Sequence, residues 1–428
     1  MFSLDLKHCI GVLCFNHCKD ATVKIPFLSP LISRLTDSGK HIDSPSSWQH
    51  GASSKPGTID GQHHFSLLRA KWANYFLGDS ELPFAPPLHT QMAKIDRQAK
   101  HWLSTFELDQ QGLWYDLPLD ANSPVGRMQL GIQLHATYQR IFMLARAYKQ
   151  PNGELVNHPV LHNTLIESLA FLHDNFYHVG AAEWGDWWYW QIGINHIVSD
   201  TLVILYDDLP QEVLNNYIDA SRYFVPRATH LSEGYGAPYS SAPTVFQSRA
   251  EQRIENAQAV LIRGILDNEE KDIQAAMHAL SNECSSMTAQ WNVAPVLTVS
   301  LAMIMGLVAD SPWQAPEHQL QKIYSQLLAM NLPTDIDAPG NDIGIKTATS
   351  HIRNHQQKIN QTMLSTQLLY LAGAPTQHRS QLAESLKTQL LSGASLPAQP
   401  QIFTCYQIAK QLVENMECAE RGNGEVSA

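Results

Sequence analysis

From Phe65 onward, apolar residues recur at the spacing of one face of an α-helix. Leu134, Tyr138, Ile141, Ala145 and Tyr148 follow one another at intervals of 4, 3, 4 and 3, which lines them up on a single stripe. Leu161, Leu165, Leu169, Leu172 and Phe176 do the same. The pattern predicts further helices over about 194–206, 211–223, 252–267, 270–283, 296–309, 317–330, 356–371 and 378–391. Short polar breaks with Pro or Gly separate many of them, such as PNGE at 151–154, DDLP at 207–210 and AGAP at 372–375. Strand alternation around NG or DG hairpin turns is absent. The chain therefore reads as all-α, with helices paired as antiparallel hairpins. No repeat of solenoid length is visible, so an α/α toroid with a central cleft is expected.

Composition narrows the function. With 29 Lys and Arg against 40 Asp and Glu, the net charge is -11, the wrong sign for a general nucleic-acid binder. The six Cys are scattered and form no CxxC pair, so neither a disulfide framework nor a zinc ribbon is expected, and no metal or cofactor. Ser, Gly, Pro, His and Lys dominate 37–61, so residues 1–60 read as a flexible leader. Its first twenty residues hold one short apolar run, Cys9–Phe15, a weak signal segment. Val293–Ala309 is too short for a membrane span and contains Pro295 and Gly306; it reads as a buried core helix. The toroid is expected over 61–395, with a helical tail over 396–428.

The densest signal is Glu183–Asp200, EWGDWWYWQIGINHIVSD. On a helix, Trp184, Trp187 and Trp188 share a face and Trp190 points away. Two readings stand. The rings form an aromatic core layer, or they form a platform on which pyranose rings stack. Gly185 and Gly193 allow close backbone approach.

This segment resembles the N-terminal helical domain of polysaccharide lyase family 8, the hyaluronate, chondroitin and xanthan lyases, whose pattern there is N-W-W-x-x-E-I-G. Colinear pieces agree: LRAKWANYFLG (68–78), LWYDLPLD (113–120), ATYQRIFMLARAYKQP (136–151), YIDASRYFVP (217–226) and AVLIRGILDNEEKDIQAAMHAL (259–280). The resemblance implies an incomplete α/α toroid, here without the family's C-terminal β-sandwich domains. It implies an acidic polysaccharide as partner and a secreted or periplasmic location. It also implies β-elimination at a uronic acid. There an Asn bonds the carboxylate, a His or Tyr takes the C5 proton, and a Tyr protonates the leaving O4.

The resemblance places Gln252 at the position of that Asn, with Asn256 one turn on as a second candidate. The family's His/Tyr loop has no counterpart in SNECSSMTAQWNVA (281–294), which holds neither residue. GNDIGIK (340–346) stands where an Arg motif is expected and leaves Lys346 as the cation. Tyr235 and Tyr239, on a Gly/Pro loop, and His196 are the replacement acid and base candidates. Trp184, Trp187, Trp188, Trp190 and Lys346 are the substrate-binding candidates. Arg140, Arg146, Arg253 and Arg263 are candidates for local positive charge, against packing or surface ion-pair roles, as His196 is against a helix-packing or capping role. Two alternatives remain: a glycan-binding relative without turnover, and a glycoside hydrolase using a carboxylate pair drawn from Asp116, Glu183 and Asp186.

Overall fold

The computed structural model describes residues 59–229, 250–286, 295–329, 360–397 and 402–414, apart from isolated positions within these ranges. The helices are α1 (Ile59–Leu77), α2 (Pro86–Ser104), α3 (Pro124–Lys149), α4 (Pro159–Asn175), α5 (Ile194–Ile204), α6 (Gln211–Phe224), α7 (Ala250–Asp267), α8 (Glu270–Ser286), α9 (Pro295–Val308) and α10 (Glu317–Ala329). They continue with α11 (360–372), α12 (Thr376–Leu391) and α13 (403–412). No strand occurs among the described residues, and the fold is all-α. The expected leader lies outside them up to residue 58.

Local chemistry sets the helix ends. Ser123 caps α3, its Oγ accepting from the Gly126 amide at 3.0 Å, and Pro124 opens the helix where no amide is needed. Both predicted stripes are buried on α3 and α4. α7 and α8 form a hairpin joined by only Asn268 and Glu269, and Asn268 takes a left-handed φ of 56°. The Glu269 amide returns to the Gly264 carbonyl at 2.9 Å. Arg263 Nε donates to Asp272 at 2.7 Å across the hairpin.

Inner and outer helices alternate along the chain. α3, α5, α7 and α9 stand side by side and all touch α1. α4 and α6 pack together outside them, and α8 lies against α7. This is the paired layering expected of an α/α toroid. Polar ties run through the core. Trp72 Nε1 of α1 donates to Asp200 of α5 at 2.7 Å. The Tyr138 and Tyr217 hydroxyls meet at 2.8 Å, and Tyr217 also bonds the Leu169 carbonyl.

One expectation holds and one changes in detail. Pro295–Val308 is a helix buried over Leu301–Val308, as read, and no described helix is long and apolar enough to cross a membrane. Within the expected tail, however, the described helix 403–412 belongs to the packed body. Phe403, Cys405, Ile408 and Leu412 of α13 are buried, and Gln407 clasps the end of α1. Its Nε2 donates to the Asp79 carbonyl at 2.7 Å, and its Oε1 accepts from the Asp79 amide at 2.9 Å.

Candidate functional site

The aromatic segment departs from a regular helix. Trp184 sits in the loop before it. Asp186 caps the start, its Oδ1 accepting from the Trp188 amide at 3.0 Å. Tyr189–Gly193 then form a π turn, which feeds into α5. A π turn shifts the register of side chains and is often found at functional sites.

The shift sorts the rings. Trp190 is 1% exposed. It stacks on Tyr177 at 16° between planes, and its Nε1 donates to the Trp184 carbonyl at 2.9 Å. Trp190 is thus a core residue rather than a sugar contact, because the π turn aims it at α4 and α6. Trp187 and Trp188 are half-buried and keep a face toward solvent. Trp188 lies over Gly193, where a Cβ would fall 2.7 Å from Cζ3. Its ring is edge-on to His135 at 5.8 Å and to Tyr189 at 5.3 Å. Trp184 is half-buried beneath the Arg127 guanidinium at 4.7 Å.

His196 has a structural role that overrides the proposed acid or base role. Its Nε2 donates to the Glu255 carbonyl at 2.8 Å, and its Nδ1 accepts from Gln258 Nε2 at 3.5 Å. Packing around the ring holds its pKa down at about 4, although part of its surface reaches solvent. Both nitrogens therefore tie α5 to α7. At the far ends of the same two helices, Asn268 bonds Tyr206. The two contacts make α5 and α7 parallel. The start of α7 therefore lies beside the π turn, at the end that carries Trp187 and Trp188.

Gln252 and Asn256 stand on that stretch of α7. The Gln252 side chain lies outside the described residues, as do Tyr235, Tyr239 and Lys346. Asn256 is fully buried, and neither Oδ1 nor Nδ2 has a partner among the described residues. As placed, it does not reach a ligand from solvent.

His135 was not singled out in the sequence. It is buried between Trp188 and Tyr189, its Nε2 has no partner, and burial holds its pKa at about 4. The one available signal was a polar residue set next to Leu134 on an apolar stripe.

The remaining charged candidates are held by the fold. Arg140 bonds Asp116 with two nitrogens, one at 2.9 Å, and lies over Trp102 and Trp114. That pairing holds the Asp116 carboxyl below its ordinary value. Arg146 is 1% exposed, donates to the Phe76 carbonyl at 2.7 Å and lies over Phe403. Arg263 is committed to Asp272 and to the Val225 carbonyl. None of these three is available to an external anion. Arg253 of α7 is half-buried. The carboxylates of the hydrolase reading are likewise engaged by the fold. Asp116 is in an ion pair, Asp186 is a cap, and Glu183 is buried, with both carboxyl oxygens 3.0 Å from Gln191 Nε2. No group of His, Cys, Asp or Glu among the described residues is arranged to hold a metal ion. A small cavity between α5, α6 and α7, lined by Asn195, Ser199, Tyr217 and Arg263, has room for about one water.

Comparison with known proteins agrees with this architecture. The sequence profile described as polysaccharide lyase family 8, N terminal alpha-helical domain, matches residues 72–290, just over half of the chain. A hyaluronate lyase of Thermasporomyces composti is 20% identical over 278 residues, 64% of this chain and 34% of that protein. A xanthan lyase of Bacillus sp. strain GL1 is 26% identical over 176 residues, 40% of this chain and 18% of that protein. Among solved structures, chondroitin AC lyase of Streptomyces coelicolor superposes with a TM-score of 0.64 at 20% identity, over 81% of this chain and 48% of that one. Paenibacillus xanthan lyase gives 0.65 at 17% identity, over 83% and 34%. The matched relatives are longer, and this chain spans about a third of the hyaluronate lyase. Both the order of the helices and the profile match lead to one assignment: the chain belongs to polysaccharide lyase family 8, as its N-terminal α-helical domain.

Proposed function

We propose that this chain acts on a uronic-acid-containing polysaccharide of the hyaluronan, chondroitin or xanthan type, cleaving it by β-elimination at a remodelled site. The observation that carries the reading is the parallel register of α5 and α7. Through His196 it sets the Gln252 stretch beside the half-buried Trp187 and Trp188. Sugar rings stack on the indoles. The Gln252 amide, one methylene longer than an Asn, bonds the uronate carboxylate and helps it to accept the charge that develops when C5 loses its proton. The C5 proton goes to a base, the C4–O4 bond breaks, a C4–C5 double bond forms, and O4 leaves with a proton. Tyr235 and Tyr239 are the residues proposed for these transfers. Export from the cell belongs to the same proposal.

The test is ultraviolet absorbance of the unsaturated uronate during incubation with hyaluronan, chondroitin sulfates and xanthan. A rise that Gln252→Ala abolishes supports the reading. Reducing ends without that absorbance refute elimination. Binding with neither signal favours a second reading, a glycan-binding relative without turnover. The absence of His and Tyr from 281–294, together with the structural commitment of His196, supports that second reading.

A further inference from the structure

We propose that Glu183 and Gln191 form a reciprocal carboxylic acid–carboxamide pair that positions the Trp187–Trp188 segment, and that loss of the Glu183 proton releases it. The inference deepens the proposed function by adding control of the same platform, and its glycan arm alone rests on that function.

The pair closes the aromatic segment as a loop. Glu183 stands at its head, before Trp184, and Gln191 stands in the middle of the π turn. Both side chains are buried, at 3% and 2% exposure. Both carboxyl oxygens face the single nitrogen of Gln191, at 3.0 Å each. Gln191 Oε1 is buried without a partner. An ionised carboxylate has no proton to give that oxygen. A protonated one has, and a small rotation of the amide completes two opposed bonds, N–H to carboxyl and O–H to amide. The proton thus satisfies an acceptor that is otherwise stranded.

Among the described residues, no cation offsets a charge on Glu183. Tyr177, after α4, is the titratable group that feels it. α3 turns Arg127 onto Trp184 and His135 onto Trp188. α5 turns Asp200 onto Trp72 and His196 onto α7, whose start brings Arg253 and Glu255 to this end. Asp186 on the loop itself is exposed. None of them bonds Glu183, and burial pushes its pKa up to about 7. Ionisation above neutrality therefore places beneath the Trp184–Trp190 loop a charge that the neutral Gln191 amide alone bonds among the described residues. The segment yields by opening toward water.

The experiment is a titration of near-ultraviolet circular dichroism and tryptophan fluorescence between about pH 5 and about pH 9, without ligand. Asp200 bonds Trp72 and titrates in the same range, so Asp200→Asn is the control background. In that background the aromatic signal changes with one proton near neutrality. Adding Glu183→Gln, which keeps an amide pair but has no proton to lose, flattens the curve. Superimposable curves overturn the proposal. If Glu183→Gln does not fold, Gln191→Glu reads the same pair. Two carboxyls sharing the site raise the midpoint by at least about one pH unit, and an unmoved midpoint overturns it. Affinity for hyaluronan oligosaccharides is then followed across the same range. It weakens about tenfold above the midpoint in the control and stays level with Glu183→Gln. If the spectroscopic transition is present and no glycan binds at any pH, the proposed function fails and the Glu183–Gln191 pair stands.

Discussion

Gly193→Ala tests whether the Trp188 ring occupies the position on which glycan binding is proposed to depend. The backbone at Gly193 is helical, with φ -57°, so alanine brings no conformational strain. The added methyl falls 2.7 Å from Trp188 Cζ3, 3.1 Å from Cη2 and 3.0 Å from His135 Cδ2. Carbon atoms in contact prefer about 3.5–4.0 Å, so something retreats by about 1 Å. His135 is buried among helices and has no room, whereas Trp188 is half-exposed and can swing outward. Overpacking costs about 1–3 kcal/mol in a rigid core. Replacing Gly by Ala within a helical turn returns about 1 kcal/mol. With the ring free to yield, the net loss of stability is about 1 kcal/mol. The displaced indole no longer meets the sugar face squarely, and losing that contact weakens glycan binding by about 1 kcal/mol, roughly fivefold. Urea unfolding measures the first quantity and isothermal calorimetry with hyaluronan oligosaccharides the second. An altered near-ultraviolet tryptophan signal with unchanged affinity refutes the place of Trp188 in the binding surface.

Three further outcomes follow from the buried polar groups. Trp72→Phe leaves Asp200 without its indole donor and lowers stability by about 1–3 kcal/mol in urea unfolding. Gln407→Ala strands the amide and carbonyl of Asp79 and costs about 2–3 kcal/mol by the same measurement. The dependence of stability on pH holds two opposed contributions. Glu183 and Asp200 are raised to about 7 from 4.5 and 3.8, and Asp79 to about 6 from 3.8, so their contribution is full below the unfolded values and is lost as pH climbs to about 6–7. His135 and His196 are lowered to about 4 from 6.5, so theirs is full above 6.5 and is lost as pH falls to about 4. With three raised carboxyls against two lowered imidazoles, the urea midpoint of the wild type falls as pH rises between about 4.5 and 6. In Glu183→Gln/Asp200→Asn it rises with pH across that window.

The helices were legible because periodicity reports burial directly. The stripe from Leu134 to Tyr148 is buried along its whole length, as its spacing implied. α13 was placed outside the toroid because no break in pattern marks a helix that docks from far along the chain. The aromatic segment was half legible. Regular helical spacing sets Trp190 opposite Trp188 but only about 60° from Trp187, and the π turn that drives it into the core has no sequence signature here. For His196 and the arginines the sequence left a packing or ion-pair role open beside the functional one, for a common reason. A sequence names a charge or an imidazole without naming its partner, and Arg140 beside Asp116 or His196 beside the Glu255 carbonyl are partnerships between distant segments.

The clasp between Gln407 and Asp79 joins residues 328 positions apart. Its partners are made far apart in time. At roughly 5–20 residues per second, the end of α1 leaves the ribosome some tens of seconds before Gln407 exists. During that interval the Asp79 amide and carbonyl have only water to bond, and the apolar residues later covered by Phe403 and Ile408 stay bare. The domain cannot finish folding from its N-terminus forward as a string of finished hairpins. A helix made late completes one made early, and until then the nascent chain depends on solvent or on chaperones to shield that seam.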